Sequence, residues 1–123
     1  MSSQNRAGRE RLPTENVEIY GAFLMAALSS LMEKPLKSKV NIENKNPYGE
    51  FATYAIHEPY LLGLLMGREV ARVTVSERTF MGGFNRVDVF DSSLAGIVEE
   101  SVSKLNEMYG LILKVHKRYK TPA

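Results

Sequence analysis

Arginines and aromatic rings, with few other reactive side chains, set the chemistry open to this chain. Its 123 residues include two histidines and no cysteine, so disulfides, thiolate metal sites and thiol nucleophiles are excluded. His57 sits in a His57-Glu58-Pro59 turn and His116 in a basic stretch, and neither has the HxxE or HExxH spacing of a metal or protease helix. The adjacent His57-Glu58 pair is poor acid–base machinery. Asp88 and Asp91 flank Phe90 and point to opposite sides or into a helix cap, so they make no metal pair. Gly82-Gly83 lacks the lysine and the strand-to-helix setting of a phosphate loop. The sequence therefore predicts a non-enzymatic protein with no cofactor and no metal.

The chemistry that remains is polyanion binding. From Val70 to Phe90 the chain alternates, with Ala71, Val73, Val75, Val87 and Val89 apolar and Arg72, Thr74, Ser76 and Arg78 polar, the period of a half-buried hairpin. A three-residue loop at Met81-Gly82-Gly83 keeps the two sets in phase. That register sets Phe80 across from Phe84, Arg78 across from Arg86 and Ser76 across from Asp88. Arg72 and Lys39 share the polar face. Guanidinium groups interleaved with rings suit a single nucleic-acid strand, with phosphates taking the charge and bases stacking. The competing reading is an ordinary solvated face, its arginines partly neutralised by Asp88 and Glu43.

A second basic cluster, Lys114, Lys117, Arg118 and Lys120, surrounds His116 and Tyr119 and contains no acid. It can grip phosphates by counterion release, or simply complement a helix dipole. Arg6, Arg9 and Arg11 add charge at the other terminus, although the net charge is only +2.

The elements that must position these groups read as follows. Residues 1–12 form a polar, basic, flexible tail with no secretory character. Residues 13–123 form a single α+β domain. Pro13-Thr14-Glu15 starts a helix with Thr14 as cap. It runs through Val17, Tyr20, Leu24, Leu28 and Leu31, with Phe23 widening an apolar surface that needs more than one neighbour, and Pro35 ends it. Lys39–Glu43 and Glu50–Ile56 are strands joined by Asn44–Gly49 turn chemistry, with Phe51 and Tyr54 on opposite faces of the second. Tyr60–Met66, apolar all round, reads as a short buried helix or turn in the core or an interface. From about 91 to 119 a long helix is expected, capped by Asp91 and carrying Val98, Val102, Leu105, Tyr109, Ile112 and Tyr119 along one seam. At about 42 Å it would overhang the domain.

The expected fold is thus an α+β sandwich, an antiparallel sheet of about four strands with both helices on one face. The leading expectation for function is a cytoplasmic homodimer, joined through the C-terminal helix, that binds single-stranded DNA or RNA. Its contacts would be Arg72, Arg78, Arg86, Phe80, Phe84, Lys114, Lys117, Arg118 and Lys120. The alternative is a structural or adaptor subunit that docks on a larger assembly through its first helix and Tyr60–Met66. The longest apolar run is far too short to span a bilayer.

Overall fold

The computed structural model describes residues 11–45, 49–77 and 85–119. The first helix, α1, spans Pro13–Met32. Pro13 occupies its first turn, where a missing N–H costs nothing, and the Glu15 carboxylate accepts from the Leu12 N–H at 2.8 Å. Thr14 is not the cap: its hydroxyl donates to Glu50 at 3.1 Å, because the helix starts at Pro13 with Leu12 at the cap position, two residues earlier than a Thr14 cap requires. Glu33, in the left-handed region at φ 57°, closes the helix.

Three antiparallel strands follow, β1 (Lys37–Lys45), β2 (Gly49–Tyr60) and β3 (Leu65–Ser76). They lead to β4 (Arg86–Val89), a single 3₁₀ turn at Ser92–Leu94, α2 (Ala95–Tyr109) and β5 (Lys114–Lys117). The sheet order is β1-β2-β3-β4-β5. The α2 crossover returns the chain so that β5 runs parallel to β4, as a crossover connection permits and a tight turn does not.

Among the described residues the sheet is therefore mixed and five-stranded, not antiparallel with about four strands. The long C-terminal helix is corrected with it. Asp91 does cap, accepting from the Ser93 N–H at 2.9 Å, but α2 stops at Tyr109 because Gly110 adopts φ 73°, a conformation glycine enters without a Cβ clash. Asn106 fixes the reversal, donating to the Leu113 carbonyl at 3.0 Å and accepting the Leu113 N–H at 3.2 Å. Ile112 and Tyr119 thus lie beyond the helix. Among the described residues there is no overhanging rod of the kind expected to join a dimer.

One face of the sheet is covered. α1 packs on β2 and β3, and α2 packs against α1, β4 and β5. Val17, Tyr20, Leu24 and Leu28 of α1 share a core with Ala52, Ile56, Val73, Val87, Val89, Val98 and Leu105. Each large side chain so buried is worth about 1.5–3 kcal/mol. α1 approaches β2 closely because a Cβ on Gly21 would collide with the Tyr54 ring.

The hairpin of β3 and β4 exists, in a different register. Arg72 pairs with Asp88 and Thr74 with Arg86, four positions along β3 from the expected Arg78 partner, which lies outside the described residues. β3 ends at Ser76 and β4 begins at Arg86, and the Asn85 side chain accepts the Ser76 N–H at 2.8 Å. An even shift leaves every side chain on its original face, so the valines still point inward. It also replaces a like-charge pair with Arg72 opposite an acid.

Candidate functional site

The uncovered face of the sheet carries the alternate residues of every strand. Two rows cross it in register: Lys39, Ala55, Arg72, Asp88 and His116, then Asn41, Thr53, Thr74, Arg86 and Lys114. Arg72, Arg86 and Lys114 are thereby brought to one face, with Lys114 supplied by β5 and not by a helix end. Arg118 reaches the same face, donating to Asp88 Oδ1 at 2.9 Å. Lys117 does not belong to it, since it lies on the helix side and pairs with Glu99 at 3.4 Å. Arg78, Phe80, Phe84 and Lys120 lie outside the described residues. The ring that meets a sheet arginine is instead Phe90, 5.8 Å from the Arg72 guanidinium.

Acids hold these arginines. Glu69 takes Arg72 bidentately at 2.7 and 2.7 Å, which pushes the guanidinium pKa above its ordinary value. Asp88 accepts Arg86 Nε at 3.1 Å through its other oxygen. The two arrangements differ in consequence. Arg72 and Glu69 are partly exposed, and such a pair is worth at most about 1 kcal/mol, so a phosphate can replace Glu69. The Asp88 side chain is only 3% exposed, and withdrawing its cations would bare a buried charge, which costs several kcal/mol. Lys37, Lys39 and Lys114 on the same face are the more available cations.

At one end of the sheet a second feature projects. β2 and β3 join through residues 61–64, and Tyr60 pairs with Leu65. The expectation of a buried segment fails here: Tyr60 is 58% exposed, Leu62 104% and Leu64 81%, and Leu61, Leu65 and Met66 are also exposed. The reason lies in β2, where register shifts around His57 and Pro59 bend the ribbon and carry the tip beyond the helices. His57 Nδ1 meets the Gly67 carbonyl at 2.9 Å; a carbonyl only accepts, so that nitrogen carries the hydrogen.

The turn itself is unusual. Leu61 and Leu62 both lie at positive φ, 51° and 56°, followed by Gly63 at 87°. Left-handed leucines cost about 1–2 kcal/mol each. Below the tip stands a collar of charges that satisfy one another. Glu58 accepts Lys34 at 3.0 Å and Arg68 at 3.2 Å, and Arg68 reaches Asp91 at 2.8 Å. The hydrogen bond from Arg68, followed by that from Lys34, holds the Glu58 carboxyl below its usual range, and Ser93 with Arg68 does the same for Asp91.

Of the basic tail, residues 1–10 lie outside the described residues. Arg11 is anchored, donating to the Tyr109 carbonyl at 2.8 Å and to Asn16 at 3.1 Å. Among the described residues no group of His, Asp and Glu is placed to hold a metal, and no helix is long and apolar enough to cross a membrane. The apolar run Tyr60–Met66 is the visible signal for the tip; Asp88 as a partner of a face arginine is legible too and holds Arg86, whereas its bond to Arg118 has no signal, because Arg118 reaches it only through β5. Comparison with family models, curated proteins and solved structures finds no match.

Proposed function

We propose that this chain is a docking subunit, seating the β2–β3 tip in an apolar cavity of a larger protein assembly. The observation that carries this reading is the run from Tyr60 to Met66, which exposes six large apolar side chains on one protruding turn. Exposed apolar surface concentrated in one place marks an interaction site. A projecting cluster of leucines inside a ring of mutually paired charges has the anatomy of an interface centre and its polar rim. A bilayer is the less favoured receiver. Interfacial anchors carry surplus cations, whereas Lys34 and Arg68 are cancelled by Glu58 and Asp91.

A photoreactive amino acid at position 62, with one at the exposed Ile112 as reference, tests this in the organism's own extract. A discrete adduct of fixed mass from position 62, absent from 112 and absent when Leu64 is also changed to Asp, supports docking on a protein. Equal, diffuse labelling from both positions overturns it. So does co-sedimentation of the wild type, but not Leu64→Asp, with phosphatidylcholine vesicles.

A second reading, a nucleic-acid-binding protein, rests on the uncovered sheet face, where Lys37, Lys39, Arg72, Arg86 and Lys114 outnumber Glu43, Glu69 and Asp88. Fluorescence anisotropy with a labelled single-stranded oligonucleotide over a salt series tests it. Binding that weakens steeply with salt and is lost in Lys37→Glu/Lys114→Glu supports it, and no binding at low salt removes it.

A further inference from the structure

We infer that this chain pairs with a second copy of itself through β1, in an antiparallel register centred on Asn41. β1 is a nine-residue edge strand, hydrogen-bonded to β2 alone among the described residues. An edge of that length offers a row of unpaired backbone groups to another strand. Proline and bulges are absent from it, and its lysines, which guard an edge against unrelated strands, can be answered by the glutamate of the same strand in a second copy.

The order of residues decides the occupant. Antiparallel pairing about Asn41 sets Lys39 opposite the partner's Glu43 and Glu43 opposite the partner's Lys39, both on the uncovered face. On the helix side it sets Val40 opposite the partner's Ile42, and the reverse. Val40 is 37% exposed and Ile42 50% because α1 covers β2 and β3 and barely reaches β1. Opposite charges and apolar pairs across strands each contribute roughly 0.2–1 kcal/mol, and two-fold symmetry makes every favourable pair occur twice. Only the outermost position, Lys37 against Lys45, opposes like charges, and it falls at the strand ends. Centring on Ile42 instead would face Lys39 with Lys45 and strand Val40 against Asn44. The two-fold axis stands perpendicular to the sheet, so the helices of both copies lie on one side and the uncovered faces join.

The chain has no cysteine, which makes crosslinking decisive. In the register drawn, position 41 meets its own copy at a Cα separation of about 4.5–5.5 Å, within disulfide range. Position 37 lies eight residues from its copy, about 27 Å along the strand. Mild oxidation of Asn41→Cys should give a covalent dimer rapidly, and Lys37→Cys should not. By light scattering the wild type should show twice the 13.8 kDa chain mass. Lys39→Glu should fall to a folded monomer that melts as the wild type does when diluted until its dimer dissociates, and Lys39→Glu/Glu43→Lys should recover the dimer. A monomeric wild type, equal crosslinking at 41 and 37, or a charge swap that fails to restore association overturns the inference.

Discussion

Arg118 donates to Asp88 at 2.9 Å across thirty residues of chain, fastening the segment after β5 to the middle of β4. Arg86 takes the other oxygen of the same carboxylate. Asp88→Asn keeps the shape and removes the charge between two guanidiniums. Hydrogen bonds to charged groups are worth about 1.5–3 kcal/mol, and both arginines retain some access to water, so urea denaturation should show a loss of about 2 kcal/mol. The same variant should bind oligonucleotide more tightly than the wild type if the sheet face is a nucleic-acid surface, because two cations are released to it.

Acid should weaken the collar of charges beneath the tip. Glu58 and Asp91 both titrate below their ordinary values of 4.5 and 3.8 in the folded chain. A carboxyl depressed by folding stabilises above its unfolded pKa, and that contribution disappears as pH falls through the folded one. Stability should therefore decline from about pH 5 downward. Glu58→Gln should flatten this decline, as followed by melting temperature against pH.

Tyr20 behaves in the opposite sense. Burial in the core, opposed weakly by Arg11, raises its phenol to about 12, and its hydroxyl meets Asn106. The unfolded chain ionises first, near 10, so the contribution of this group is intact below about pH 10 and falls away between there and about 12. Ultraviolet difference spectra of the wild type against Tyr20→Phe should show a phenolate missing until the fold is lost.

Leu62→Gly should raise the melting temperature. The native φ of 56° strains leucine and suits glycine, a difference of roughly 1 kcal/mol, and the side chain removed touches solvent. Leu64→Asp, at a side chain 81% exposed, should leave stability within about 0.5 kcal/mol while abolishing the adduct from position 62.

Much of the architecture was legible. Val40 and Ile42 alternating before an Asn-Pro-Tyr-Gly sequence announced the first hairpin, and Pro13 with Glu15 announced α1. The alternating valines named the covered face of β3 and β4 correctly even though the register differed, because face depends only on parity. β5 was hidden, since Leu105, Tyr109 and Ile112 continue a helical spacing straight through Gly110. That glycine was the available signal, and it outweighed the periodicity. For the site, an apolar run such as Tyr60–Met66 does not state whether it is buried; the bends around His57 and Pro59 decide that. Polar alternation puts Arg72 and Arg86 on one face, whereas Lys114 reads as part of a helix end and reaches that face only through the parallel β5; the acids that hold the two arginines, Glu69 and Asp88, stand three and two residues away on the same strands.

The β2–β3 turn already bonds its own amides, Gly63 N–H to the Tyr60 carbonyl at 3.1 Å and Leu64 N–H to that of Leu61 at 3.0 Å. A receiver of the kind proposed would therefore meet a finished shape, with little main-chain freedom left to freeze. Calorimetry of its capture should show a drop in heat capacity set by the leucine surface alone, without the larger drop of a segment that folds as it binds.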